Sequence, residues 1–226
     1  MNTKAGRGRP KKDLKEFQNR NEQILDAARL MFASRGFADT DVEELASELG
    51  IGKGTIYRAF PSKQELFFAT VDRSLEQMAG FIKAEVAAQQ VEGLQKIQTA
   101  VKAFLHFFDA NPAVIELFIQ ERAVFSGQGH SSFWEHCRKN SARWETFFSD
   151  LMAQGFIRKS DPRWLADTLN QLLYGQLFLH RMDGSQQSLK SKSNDILTIF
   201  FVGILTKEAL RNSQALGIDL GGLANE

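Results

Sequence analysis

The stretch "TDVEELASELGIGKGTIYRAFPSKQELF", residues 40–67, constrains the fold of this chain more than any other. It opens with the pattern Thr-x-x-Glu, in which Thr40 caps a helix and Glu43 reaches back to the start of the same turn. Val42, Leu45, Ala46 and Leu49 then recur at i, i+3, i+4 and i+7. They form one apolar stripe of an amphipathic helix, and Gly50 ends it. A short helix over about 53–59 follows, Pro61 breaks the chain, and "SKQE" at 62–65 is a second capping box. Helix, tight glycine turn, short helix is the order of a helix-turn-helix.

The run "GIGKGT" at 50–55 invites a competing reading as a phosphate cradle, and the spacing rejects it. A Walker-type loop needs G-x-x-x-x-G-K-[ST] after a buried strand. Here Ser47 stands five residues before Gly52, and Gly54 follows Lys53. A dinucleotide fingerprint fails because Thr55 occupies the place of its third glycine. What precedes the run is a capped helix, not a strand.

A further helix lies ahead, from about Asn19 to Ser34, with Ile24, Ala27, Ala28, Met31 and Phe32 as its apolar stripe and Gly36 as its stop. In such a three-helix unit the third helix enters the major groove while the second packs across it. Ile51, Ile56 and Phe60 are then expected in the small core, which leaves Lys53, Thr55, Tyr57 and Arg58 for the outer face. Gly52 and Gly54 allow the backbone close to DNA. The bland alternative is an ordinary solvated helix pair.

These residues carry a resemblance. "ILDAARLMFASRGFADTDVEELASELGIGKGTIYRAFPSKQELF" resembles the DNA-binding domain of the TetR/AcrR family of transcriptional regulators, over about residues 20–67. Two positions depart from the usual pattern. Gly52 stands where a serine or threonine commonly caps the recognition helix, and Ala59 where a histidine or tyrosine often touches phosphate. The backbone grip then falls more on Tyr57 and Lys63. The resemblance implies an all-α homodimer with about nine helices per chain. Its first three helices bind a double-stranded DNA operator. The remaining bundle binds a small inducer and dimerises, with repression the family's usual mode.

The rest of the chain also reads as helix. No sustained period-2 alternation occurs, and the four prolines fall at or near element starts. Helices are expected at about 62–88, 91–109, 112–125, 130–154, 162–182 and 192–212. The domains are then a flexible basic arm at 1–18, the DNA-binding domain at 19–67, a ligand-binding and dimerisation domain at 68–214, and a tail at 215–226. The last two long helices carry the expected dimer interface: Leu165, Leu169, Leu173 and Leu177 on one, Phe200, Phe201 and Ile204 on the other. The alternative is that these residues are central core. Between them and the front domain lie many large rings. Phe104, Phe107, Phe108, Phe118, Trp134, Trp144, Phe147 and Phe148 are candidate walls of a pocket for a small hydrophobic ligand. His106, His136, Asn140, Arg143 and Asn170 are polar groups able to orient it.

Charge adds one element. The net charge is +1 over 226 residues, but residues 1–20 hold seven basic residues against two acidic ones. Within them Arg7-Gly8-Arg9-Pro10 looks like an AT-hook, whose extended Arg-Gly-Arg fits a narrow A·T-rich minor groove. The alternative is a free basic tail. The residues expected on DNA are therefore Arg7, Arg9, Thr40, Lys53, Gly54, Thr55, Tyr57, Arg58 and Lys63.

Several classes are set aside. The longest apolar run, "ILTIFFVGIL" at 196–205, is about half the ~20 residues of a membrane helix. A single cysteine, Cys137, allows no internal disulfide and fits a reducing compartment, so a cytoplasmic location is expected. His130, His136 and Cys137 lack the three- or four-residue spacing of metal ligands on a helix. No catalysis, metal or cofactor is expected. The rival function is a constitutive or architectural DNA-binding protein without a ligand.

Overall fold

The computed structural model describes residues 11–125, 131–182, 184 and 187–218, with side chains from residue 16 onward. Within these limits the chain is all-α. The helices are α1 (Lys11–Asp39), α2 (Val42–Glu48), α3 (Lys53–Ala59), α4 (Lys63–Ala88), α5 (Leu94–Ala110), α6 (Pro112–Phe125), α7 (Ser132–Ala153), α8 (Pro162–Met182), α9 (Ser193–Ile204) and α10 (Lys207–Arg211), with a 3₁₀ helix at Leu189–Lys192 ahead of α9. The chain divides into two compact units, Met1–Arg73 and Ser74–Glu226. The division falls inside α4, six residues beyond the boundary expected at 67.

In the first unit, α1 begins at Lys11, inside the segment expected to be a flexible arm. Its opening residues, "KKDLKEFQ", are mostly good helix formers. Gly36, at φ 85°, breaks the helical backbone near the expected stop. Ile24, Ala28, Met31 and Phe32 of α1 are buried, as are Val42, Leu45 and Ala46 of α2, Ile56 of α3, and Leu66 and Phe67 of α4. Phe67 stands edge-on to both Phe32 and Phe37, with ring centroids 5.1 and 5.4 Å away. Full burial of one such ring contributes about 1.5–3 kcal/mol.

The cap of α2 differs from expectation by one residue. Asp41 is the N-cap, its Oδ1 accepting the Glu43 N–H at 2.7 Å. Thr40 is instead turned inward, and its hydroxyl donates to the Gly36 carbonyl at 2.7 Å. Both residue types cap well, so the choice follows from which side chain the core absorbs. Gly50, at φ 64°, then closes α2 with two bonds: its own N–H to Ser47 O and the Ile51 N–H to Ala46 O. This is a Schellman closure, which needs a left-handed residue after the helix. Ser62 caps α4 as expected, accepting the Glu65 N–H at 3.1 Å.

The second unit is built round a column of rings. Phe108 (α5), Phe118 (α6) and Phe133 (α7) follow one another at 5.8 and 5.7 Å, and Tyr174 (α8) stacks on Phe133 at 4.5 Å. Glu121 of α6 is buried, and its Oε1 accepts the Ser132 N–H at 2.8 Å, satisfying an orphan donor at the start of α7. The expected helix at 192–212 proves to be two. Leu205 is extended and pairs antiparallel with Ile157; the Arg158 N–H donates to Ile204 O at 2.8 Å and the Thr206 N–H to Phe156 O at 3.1 Å. Thr206 then caps α10, accepting the Ala209 N–H.

Candidate nucleic-acid interface and ligand cavity

Helix α3 has one buried residue, Ile56, which fixes its rotation. With Ile56 inward, Lys53, Gly54, Tyr57 and Arg58 are exposed and Thr55 is half-buried. Ile51 and Phe60 are half-buried, so they flank the small core more than fill it. The Lys53 ammonium bonds Glu43 Oε2 of α2 at 3.2 Å and stands 6.0 Å from the Tyr57 ring centre. The hydrogen bond that Lys53 donates to Glu43, and then the charge of Glu43, raise the Lys53 pKa above its ordinary value. Arg58 has no ion pair or hydrogen-bond partner among the described residues.

Besides Lys53, two more of the residues expected on DNA are engaged within the domain. Thr40 is 2% exposed and its hydroxyl is spent on Gly36, so its side chain is not on the outer face. Lys63 donates to the carbonyls of Ala38 (2.9 Å) and Thr40 (3.1 Å) and lies 4.9 Å over the Phe37 ring. Its cation satisfies carbonyls at the end of α1 and just after it, leaving one N–H of the ammonium for a phosphate. Arg7 and Arg9 lie outside the described residues. Sequence reading missed Glu43 as a partner of Lys53. The signal was there in Glu43's place beside a cap, but the ten-residue separation hid the pairing.

The second unit contains a cavity of about 770 Å³. Its apolar walls come from α4 (Met78, Ile82, Val86), α5 (Val101, Phe104), α7 (Phe133, Trp144, Phe147, Phe148) and α8 (Leu169, Leu173). Of the eight expected wall residues, Phe104, Trp144, Phe147 and Phe148 line it. Phe107, Phe108, Phe118 and Trp134 do not. The first three are fully packed in the ring column or beside it, and Trp134 lies against Phe133 and Tyr174. Periodicity placed all eight on helices but could not say which ring meets another ring and which meets empty space. His136, Asn140, Arg143 and Asn170 line the cavity; His106 instead meets the edge of Phe81. Lys83 and Lys96 also face it, opposite in charge to Glu92 and Asp150. Cys137 is a wall residue too. Burial pushes its thiol up to about 12, so it sits there as a small neutral hydrophobe rather than a nucleophile. Among the described residues no group of three His, Cys, Asp or Glu side chains could hold a metal ion.

All seven residues expected at a dimer interface are buried within the single chain. Leu165, Leu169, Leu173, Leu177, Phe200, Phe201 and Ile204 are each 7% exposed or less. They are core of this unit, which corrects the expectation. The opposite faces of the same helices remain open: Trp164, Leu172, Leu179 and Met182 on α8, Ile199 and Val202 on α9. Both helices are apolar on two sides, and the inner side is satisfied by their own chain. No helix among the described residues is long and apolar enough to cross a membrane.

Residues 24–70 match the family described as bacterial regulatory proteins, tetR family. A nucleoid occlusion factor, SlmA of Haemophilus ducreyi, is 31% identical over 121 residues, which are 51% of this chain and 56% of that protein. The chain thus spans little more than half the length of that relative. An HTH-type transcriptional regulator of Staphylococcus aureus is 25% identical over 192 residues, 84% of this chain and 95% of the other. In fold, the chain is similar to the transcriptional regulator FadR of Bacillus subtilis, whose structure was determined in complex with stearoyl-CoA. The TM-score is 0.69 at 18% identity, covering 80% of this chain and 98% of that one.

Proposed function

We propose, from the match of residues 24–70 to the tetR family of bacterial regulatory proteins, that the chain is a sequence-specific DNA-binding transcriptional regulator. It acts most simply as a repressor, released from a palindromic operator by a small, largely apolar ligand. The observation that carries this reading is the rotation of α3. With Ile56 buried, Lys53, Tyr57 and Arg58 turn outward together on a short helix free to enter a major groove. The 770 Å³ cavity supports the second half, since its size and its apolar walls with a few polar groups are those of small-molecule sites. The stearoyl-CoA bound by the similar B. subtilis fold is in keeping with such an occupant.

A two-fold dimer completes the reading, because one recognition helix per chain needs a second to read both half-sites of a palindrome. The face proposed for it is the exposed apolar one, with Trp164, Leu172, Leu179, Ile199 and Val202. A cytoplasmic location accompanies the function. The arm with Arg7 and Arg9 adds minor-groove binding beside the operator.

A second reading is favoured by relatives of one name from more than one organism. SlmA is named a nucleoid occlusion factor, and a constitutive or architectural DNA binder would need no inducer. Selection of bound sites from random DNA, followed by a screen of small apolar molecules for release of the selected site, tests the choice. Recovery of a palindrome and its release by a ligand support the regulator. A bound site that no cavity ligand releases supports the second reading.

A further inference from the structure

The Lys53–Glu43 pair joins the first turn of α3 to the first turn of α2, on the face the DNA-binding reading assigns to the major groove. It is exposed, with side chains 44% and 73% accessible. Pairs of this kind add little stability. Its consequence lies in what it does to the charge of the surface. Of the three cations around α3, Lys63 is held by the Ala38 and Thr40 carbonyls and Lys53 by Glu43, while Arg58 alone has no partner among the described residues. Asp41, the α2 cap, adds a second negative charge within electrostatic reach of Lys53. Glu43 and Asp41 therefore offset the charge of Lys53, while Lys63 keeps its charge but spends two of its donors on neutral carbonyls.

We propose that Glu43 is a specificity-determining residue, which withholds the Lys53 ammonium from DNA phosphates and releases it to the edge of a base in the correct site. The inference rests on the assignment of α3 as the recognition helix. On an arbitrary duplex, freeing Lys53 strands the Glu43 carboxylate beside a polyanion, and a single solvated phosphate bond does not repay that. On the correct site the ammonium meets guanine O6 and N7, the commonest acceptors for lysine in the major groove. The Tyr57 ring centre stands 6.0 Å from Nζ, on the same helix. Discrimination then comes from a repulsive element as well as an attractive one. Glu43 raises specificity by weakening non-specific binding.

The test uses the full chain as wild type, Glu43→Gln, Lys53→Ala and the double variant. Each is titrated with a site selected from random DNA by the wild type, and with an unrelated duplex of equal length, across a range of salt. Glu43→Gln is expected to bind the unrelated duplex roughly 1.5- to fivefold tighter, the scale of one exposed charge pair. The ratio of specific to non-specific affinity should fall accordingly. The logarithmic salt slope on the unrelated duplex should steepen by about 0.9, the equivalent of one more neutralised phosphate. In the Lys53→Ala background the same glutamine should do little. The inference is overturned if Glu43→Gln leaves both affinities unchanged, tightens both DNAs equally, or acts as strongly without Lys53. A wild type that selects no DNA at all would instead remove the DNA-binding reading beneath it.

Discussion

Asp109, near the end of α5, accepts the backbone N–H of Leu189 at 2.6 Å across eighty residues of chain. The same carboxylate accepts the Lys190 N–H at 2.9 Å and the Ser188 hydroxyl. One side chain thus supplies the start of the 3₁₀ helix that leads into α9, and with it holds the approach to the exposed Ile199–Val202 face. Burial pushes the Asp109 carboxyl up, but the bonds from Ser188, Lys190 and Leu189 outweigh it and the net pKa is lowered.

A lowered folded pKa means that Asp109 stabilises the fold above the ordinary carboxylate pKa and loses that contribution as pH falls through its folded value. Asp109→Ala should cost about 1–2 kcal/mol at neutral pH, as for loss of a good cap. The difference from wild type should shrink in acid. Thermal melts at neutral pH and near pH 3 check both the size and the sign.

Recognition and core residues of α3 should separate cleanly. Tyr57→Ala and Arg58→Ala are expected to melt like wild type while binding a selected operator at least tenfold more weakly. Ile56→Ala should instead cost about 2–5 kcal/mol, since Ile56 is fully buried. Parallel melts and DNA titrations decide it; operator binding unchanged in folded Tyr57→Ala would remove α3 from the interface.

The two faces of α8 and α9 give an equally sharp contrast. Leu179→Glu and Ile199→Glu, at positions 55% and 68% exposed, should yield a folded monomer. Phe201→Ala, on the buried face, should lose about 3–5 kcal/mol of stability. Sedimentation shows the first and denaturant unfolding the second. A persisting dimer in Leu179→Glu and Ile199→Glu would move the interface elsewhere.

This contrast marks where sequence stopped being informative. The front domain was legible because its signals are local: Gly50 must turn, Ser62 must cap, and Val42, Leu45 and Ala46 have only one face to bury. On α8, Leu165, Leu169, Leu173 and Leu177 and the outer Trp164, Leu172 and Leu179 are two stripes of similar greasiness. Periodicity names both and ranks neither. The break after Ile204 was hidden for another reason. Nothing in "ILTIFFVGIL" forbids a continuous helix; Leu205 leaves it because Phe156–Arg158, far back in the chain, offer backbone partners. The cavity was half legible, since large rings foretold space between helices but not which rings would fill it.

The arm is tested by its salt dependence. Deleting residues 1–9 removes Lys4, Arg7 and Arg9 without entering α1. The logarithmic salt slope of operator binding should become shallower by up to about 0.9 for each phosphate that these side chains neutralise. An identical slope would mean that the arm touches no phosphate.

The central claim is that an occupant of the cavity controls the grip of α3 on DNA. Its most direct test is a pair of titrations of one ligand, shown by a Phe104→Trp or Leu169→Trp variant to bind in the cavity, carried out with and without operator DNA. Coupled sites must act reciprocally, typically by about 1–3 kcal/mol, or roughly five- to 150-fold in affinity. The account predicts that operator weakens the ligand by such a factor, and that the ligand weakens the operator by the same one. A ligand that binds the cavity equally tightly whether or not operator is present would contradict it.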